Sequence, residues 1–153
     1  MRHPICSLIS TVKHEGSSHS PLHVFSFASP AQRRHVDAEN ATTYGKCNNP
    51  YGHGHNYALE ITVSGPVDES TGMVCNLTDL DTFVEKEILD RFHLQNLNTV
   101  PEFGQAVPTT ENLSTSIYDI LQRGFTHAHL EKVRIEETMM NSFEYAGGNE
   151  IRK

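Results

Sequence analysis

A run of alternating side chains from His53 to Val63 constrains the fold of this chain more than any other feature. Side chains two positions apart on a strand point the same way, so His53 and His55 share a face with the residues that follow. That face continues through Tyr57, Leu59, Ile61 and Val63. The pattern predicts a half-buried strand that carries two imidazoles near its start.

Two imidazoles side by side at an apolar wall are suited to binding zinc. Gly52 and Gly54 flank His53 and leave space around both rings. Cys47 precedes them by a spacer that reads as a turn, so it can fold back beside the histidines. We predict that His53 and His55 are zinc ligands and that Cys47 is a third ligand, a nucleophile or base, or a buried thiol.

Two helices are predicted in the middle of the chain. The first has apolar residues three or four positions apart, at Leu77, Leu80, Val84, Ile88 and Phe92. Asn76 or Thr78 can cap it. The second begins near Thr109 or Thr110, either of which is a suitable cap, and ends at Gly124. Its inward stripe is Leu113, Ile117 and Leu121.

Three further strands complete the element order. We predict them over Leu22–Ala28, His129–Glu137 and Ser142–Ala146. The order of two strands, two helices and two strands predicts an α+β fold, with a four-stranded antiparallel sheet and two helices on one face. Glu137 extends the apolar face of the third strand, and a carboxylate there needs hydrogen-bond donors.

Composition narrows the class of protein. The chain has 153 residues, of which 37% are apolar, and this suits one domain over residues 23–150 behind a poorly defined segment at 1–22. The net charge of −7, without a basic run, argues against nucleic acid or an anionic membrane as a partner. Three cysteines without paired spacing indicate a reducing, cytoplasmic location. We expect no membrane span and no signal peptide.

Four spaced motifs carry a family resemblance. They are Gly45–Pro50 with Gly52–Tyr57, Thr71–Val74, Pro108–Asn112 and Glu136–Thr138. Together they resemble the 6-pyruvoyl-tetrahydropterin synthases and the related bacterial 6-carboxy-tetrahydropterin synthases, over about Phe25 to Gly148. The gap between Cys47 and His53 resembles that of the pyruvoyl-forming branch. The resemblance implies the tunnelling fold, in which a barrel forms by oligomerisation into trimers or hexamers.

The resemblance also assigns roles. Glu137 would accept the N–H and exocyclic amino group of a pterin, with Thr110 nearby. Zinc on His53 and His55 would bind the side-chain hydroxyls of the substrate. Cys47 would be the base and His93 its acid–base partner.

The chain departs from the family pattern at two places. Relatives carry a third zinc-binding histidine after the first strand, and the candidates here are Gln32, His35, His23 and His19. Relatives also pair the catalytic histidine with an aspartate, which has no counterpart directly beside His93, and Asp90 could replace it only if the helix end bends. Counted from Asn96, Leu94 takes the position of the histidine instead, although we favour His93. An imidazole without its carboxylate is less well oriented, so lowered turnover is expected.

The sequence therefore predicts a zinc-dependent lyase that converts 7,8-dihydroneopterin triphosphate to 6-pyruvoyl-tetrahydropterin and triphosphate. One alternative is a 6-carboxy-tetrahydropterin synthase of the queuosine pathway, which releases acetaldehyde. The other is a degenerate homologue that binds pterin with little or no turnover.

Overall fold

One antiparallel sheet organises the molecule. The computed structural model describes residues 8–11, 22–26, 42, 53–138 and 141–148. Its strands are β1 (Leu8–Thr11), β2 (Leu22–Ser26), β3 (His53–Ser64), β4 (His129–Thr138) and β5 (Asn141–Tyr145). The long β3 pairs with β2 along its first half, with β1 along its second half and with β4, while β5 pairs with β4. The structure has a strand, β1, beyond the four predicted ones. Its apolar residues are consistent with either a short strand or a helix, and the sequence does not decide between the two.

The helices follow β3 in the chain. They are α1 (Leu77–Val84), a π-helical turn (Glu85–Leu89), α2 (Asp90–Phe92) and α3 (Thr110–Gly124), with 3-10 turns at Leu97–Thr99 and Pro101–Phe103 between them. The side chain of Asn76 caps α1 by accepting from the Thr78 N–H at 3.0 Å. Thr109 caps α3 by accepting from the Asn112 N–H at 3.2 Å. Both caps satisfy helix N–H groups that have no partner inside the helix.

Both helical segments cover the same face of the sheet. Their buried residues form one core with the inward side chains of β3 and β4, at Leu59, Ile61, Val63, Val133, Ile135, Leu80, Val84, Ile88, Phe92, Leu113, Ile117 and Leu121. The predicted stripe of the first helix is wrong at its first residue, because Leu77 is 38% exposed. The stripe of the second helix is confirmed.

The other face of the sheet carries ion pairs. Arg134 bridges Glu60 on β3 at 3.0 Å and Glu136 on its own strand at 3.2 Å. The β4–β5 ladder shifts register between Glu136 and Thr138, so Glu137 occupies a β-bulge. Bulges re-aim a side chain locally, and they occur often beside active sites.

Candidate active site

The first half of β3 presents the predicted face. His55 is partly buried and Tyr57 is 3% exposed, whereas Gly54 and Asn56 are exposed. The alternation places His55 and Tyr57 on the same side as the buried residues of β3, as the sequence predicts. His53 begins the strand, and its side chain lies outside the described part of the chain.

The Glu137 carboxylate lies directly beside His55. Its Oε1 contacts the His55 Nδ1. Its Oε2 accepts hydrogen bonds from the Thr110 hydroxyl at 3.3 Å and from the Asn141 side-chain amide at 2.5 Å. The Glu137 side chain is 13% exposed, so this carboxylate is largely shielded from solvent and depends on these donors. Glu137 thus extends the apolar face of β4 and finds its donors within the chain. Its predicted role as the anchor of a pterin stays a prediction.

Tyr57 lies beneath this carboxylate. Its hydroxyl shares a hydrogen bond with Thr110, which in turn donates to Glu137. Burial raises the pKa of Tyr57 well above its usual value, and the negative charge of Glu137 raises it further. The phenol therefore stays protonated at neutral pH, and the Tyr57 and Thr110 hydroxyls link the core to the carboxylate.

The start of α3 fixes the position of Thr110. Thr109 ends the preceding loop and caps the helix, so Thr110 is the first helical residue. The Asn112 side chain donates to the Val107 carbonyl at 2.7 Å and ties the loop to the first turn. The predicted capping function of this Thr-Thr-Glu segment and the predicted proximity of Thr110 to Glu137 therefore occur together.

His93 follows the last turn of α2. It caps that helix in an extended conformation, and its N–H donates to the Leu89 carbonyl at 2.8 Å. Leu94 has φ of 56°, which is uncommon for a residue other than glycine, so the chain turns sharply after His93. Because α2 lies against β2 and β2 pairs with the first half of β3, His93 comes to the same end of the sheet as His55.

Several predicted residues lie outside the described residues, namely Cys47, Gln32, His35 and His19. The backbone register places His23 opposite Asn56 and Val24 opposite His55. Residues directly opposite in an antiparallel pair share a face, so the position of His23 belongs to the face of Asn56 rather than that of His55. Within the described part of the chain, no group of three His, Cys, Asp or Glu residues has the geometry to hold a metal.

The chemistry at His55 nevertheless fits a zinc ligand. A metal-binding histidine typically gives its second ring nitrogen to a carboxylate, which fixes the ring and raises its basicity. The contact between the His55 Nδ1 and Glu137 is of this type. The predicted role of His53 and His55 in binding zinc stays a prediction.

Sequence reasoning missed two members of this cluster. The sequence places Tyr57 on the correct face but only as a core residue, and it gives no indication of Asn141. The buried position of a tyrosine on the histidine face was a usable signal for Tyr57, because a buried hydroxyl usually has a partner. Asn141 carried no such signal, since its contact depends on the bulge at Glu137.

The sequence is similar to those of known proteins. A sequence profile described as 6-pyruvoyl tetrahydropterin synthase matches residues 23–148. The chain belongs to this family. It is 47% identical over 112 residues to the 6-pyruvoyl tetrahydrobiopterin synthase of Poecilia reticulata, a match that covers 72% of this chain and 76% of that protein. A putative 6-carboxy-5,6,7,8-tetrahydropterin synthase of Archaeoglobus fulgidus is 34% identical over 86 residues, which cover 56% of this chain and 67% of that protein.

The fold agrees with this membership of the 6-pyruvoyl tetrahydropterin synthase family. The solved structure of the Caenorhabditis elegans 6-pyruvoyl tetrahydropterin synthase superimposes with a TM-score of 0.81 at 33% identity. The match covers 97% of this chain and 99% of that one. The protein is thus a tetrahydropterin synthase-like lyase, and its antiparallel sheet with two covering helices is the fold of the family. In the described part of the chain, no helix combines the length and the apolar character needed to cross a membrane.

Proposed function

We propose that this protein converts 7,8-dihydroneopterin triphosphate to 6-pyruvoyl-tetrahydropterin with elimination of triphosphate. The observation that carries the proposal is the Glu137 carboxylate, held beside an imidazole and two neutral donors at the end of the buried face. The pyruvoyl product is favoured over the 6-carboxy product because identity to the pyruvoyl-forming relative is 47%, against 34% to the putative 6-carboxy enzyme.

Glu137 is the anchor for the pterin ring. The ring presents an N–H and an exocyclic amino group side by side, and one carboxylate can accept from both. Neither Thr110 nor Asn141 carries a charge, so their hydrogen bonds orient Oε2 without placing a cation beside it. An ionised acceptor forms stronger hydrogen bonds than a neutral one, and this gives the pocket its preference for a two-donor edge.

The substrate side chain then extends toward His55. His53 and His55 are the residues of this chain that would hold zinc, which when bound acidifies the side-chain hydroxyls. Cys47, as a thiolate, takes a proton from a side-chain carbon. Triphosphate leaves with the electrons of its C–O bond, and proton shifts in which His93 takes part give the pyruvoyl product. The position directly before His93 is Phe92 rather than the aspartate of the family pattern, so we expect slow turnover.

We further propose that the chain assembles into trimers or hexamers in the cytoplasm. β5 ends the order of strands in the sheet, and its outer edge is suited to pairing with another copy. Sedimentation velocity on the full chain measures this directly, and a monomer at micromolar concentration would contradict it.

The test of function is product analysis. The purified protein is incubated with 7,8-dihydroneopterin triphosphate, and the products are identified by mass spectrometry. Release of triphosphate with a 6-pyruvoyl product supports the proposal, and Cys47→Ala should then abolish it. Acetaldehyde with a 6-carboxy product would instead establish the alternative reaction. Tight pterin binding without any product would identify a homologue that has lost turnover.

Metal analysis tests the zinc ligands separately. We expect about one zinc per chain and loss of zinc in His55→Ala, since histidine supplies one of few ligands. His129→Ala is the matched control, because His129 is an exposed histidine at the far end of β4 from Glu137. Equal zinc content in the two variants would remove His55 from the site.

A further inference from the structure

The side chain of Asn141 donates a hydrogen bond to the Glu137 carboxylate oxygen Oε2. Asn141 is the first residue of β5, and its amide donates at 2.5 Å, whereas the Thr110 hydroxyl donates to the same oxygen at 3.3 Å. An O–H donor normally lies about 2.7–2.8 Å from its acceptor, so the contact from Thr110 is a long one. Asn141 therefore reaches this oxygen from β5, while Thr110 reaches it from the first turn of α3.

The β-bulge is what brings the two side chains together. Thr138 of β4 pairs with Asn141 of β5, while Glu136 pairs with Ser142, and Glu137 is the additional residue between them. Without that additional residue, paired side chains of β4 and β5 would keep the same register along the whole ladder. The bulge thus sets Glu137 within reach of the first residue of β5.

A glutamate side chain has several rotatable bonds, and fixing it before a ligand arrives removes an entropic cost from binding. His55 on β3 contacts Oε1 and Asn141 on β5 contacts Oε2, so contacts from two strands fix the plane of the carboxylate. The amide of Asn141 is neutral, so it orients the carboxylate without cancelling the charge that a ligand with two donors would recognise.

We propose that Asn141 is a positioning residue, which turns the Glu137 carboxylate toward the donor edge of the bound ring. This role rests on the proposed function of Glu137 as the pterin anchor. Asn141 is itself exposed, and an exposed hydrogen bond adds little to folding stability. Its substitution should therefore affect ligand affinity far more than it affects the fold.

The experiment compares three substitutions in the full-length protein. Asn141→Asp keeps the shape but replaces the donor with a second carboxylate, Asn141→Ala removes the donor, and Asn141→Gln retains a donor. Ser142→Ala is the control, because Ser142 is the next exposed residue of β5. Neopterin binding is followed by fluorescence, KM and kcat are measured with 7,8-dihydroneopterin triphosphate, and the melting temperature reports folding.

We expect neopterin Kd and KM to rise about 10-fold in Asn141→Ala and about 100-fold in Asn141→Asp, where two carboxylates face each other. Asn141→Gln should recover part of the loss, and Ser142→Ala should bind as the wild type does. kcat should change much less than KM, and the melting temperature should change little in any of the four variants.

Several outcomes would overturn the assignment. Wild-type affinity in Asn141→Asp would do so, as would a fall in kcat at constant KM or a loss of binding that follows the melting temperature. Glu137→Ala separates the two proposals. If it abolishes neopterin binding while Asn141→Asp does not, only the positioning role is wrong. If the wild type binds no neopterin, or if Glu137→Ala binds it normally, the ring anchor is wrong and the positioning role falls with it.

Discussion

Glu136 and Glu137 are neighbours on β4, yet they occupy opposite faces of the sheet and meet different partners. The Glu136 carboxylate lies 3.2 Å from the Arg134 guanidinium, with 34% of its side chain exposed. The Glu137 side chain is 13% exposed and meets His55, Thr110 and Asn141. One carboxylate is neutralised by a cation at the surface, and the other is held by hydrogen-bond donors beside the core.

The difference shows that glutamates on the two faces of one strand can differ in function. On the outer face, solvent screens the charges and an ion pair contributes little to stability. On the inner face, the Thr110 hydroxyl, the Asn141 amide and the His55 ring take the place of water around the Glu137 carboxylate. Glu136 is paired with a permanently charged guanidinium, whereas the partners of Glu137 are a hydroxyl, an amide and an imidazole.

The largest effect expected from this comparison is on catalysis. Glu137→Gln keeps the size of the side chain but replaces an ionised acceptor, so kcat/KM should fall about 1,000-fold. Glu136→Gln is the matched control and should stay within about 2-fold of the wild type, since its partner Arg134 faces away from the site. Steady-state kinetics on both variants checks this, and equal losses would show that the two faces are not functionally distinct.

A second pair of substitutions compares how much the two faces contribute to the free energy of unfolding. Ile135 is fully buried between β3 and the helices, so Ile135→Ala should lower the free energy of unfolding by about 2–4 kcal/mol. Arg134→Ala, one residue earlier and on the outer face, should change it far less. Urea denaturation at one fixed protein concentration measures both variants. Similar losses at the two positions would mean that the outer face is as tightly packed as the inner one.

A third substitution tests whether buried polar groups always need partners here. The Ser114 hydroxyl on α3 is fully buried and, within the described part of the chain, has no hydrogen-bond partner. Ser114→Ala removes an uncompensated hydroxyl and should raise the free energy of unfolding by about 1 kcal/mol. Ser142→Ala, at an exposed serine, should leave it unchanged. A loss of stability in Ser114→Ala would reveal a partner for the hydroxyl.

The smallest expected effect is the coupling energy of an ion pair on the outer face. Lys132 and Glu144 form an ion pair at 2.8 Å with 40% and 47% of their side chains exposed. A double-mutant cycle with Lys132→Ala and Glu144→Ala should give a coupling energy of about 0.5 kcal/mol or less, and it should fall in high salt. A larger, salt-independent coupling would indicate that this face is covered in solution.

Most of the element order followed from the sequence because its signals are local. The alternation of β3, the caps Asn76 and Thr109 and the stripe of α3 each depend on neighbours within a few residues. β1 was missed because four residues without a clear period carry too weak a signal. The pairing of β1 with the distant end of β3 is a long-range contact that no local pattern encodes.

The first helical segment has a spacing of buried residues that a regular α-helix does not fully explain. Leu80, Val84, Ile88 and Phe92 are spaced by four residues, and each such step overshoots one face of an α-helix by about 40°. The π-helical turn at Glu85–Leu89 widens the helix locally and keeps Ile88 and Phe92 in the core. The strict spacing of four was the signal for this turn.

The sequence alone determined which residue types are available to the site and on which face of their strands they lie. His55, Tyr57 and Glu137 were placed correctly by a period of two, because the direction of a side chain on a strand is a local property. The tertiary structure decided which of them touch. The contacts of Glu137 with His55, Thr110 and Asn141 join three segments far apart in the chain through strand register, a bulge and a helix cap, all of which depend on packing of the whole domain.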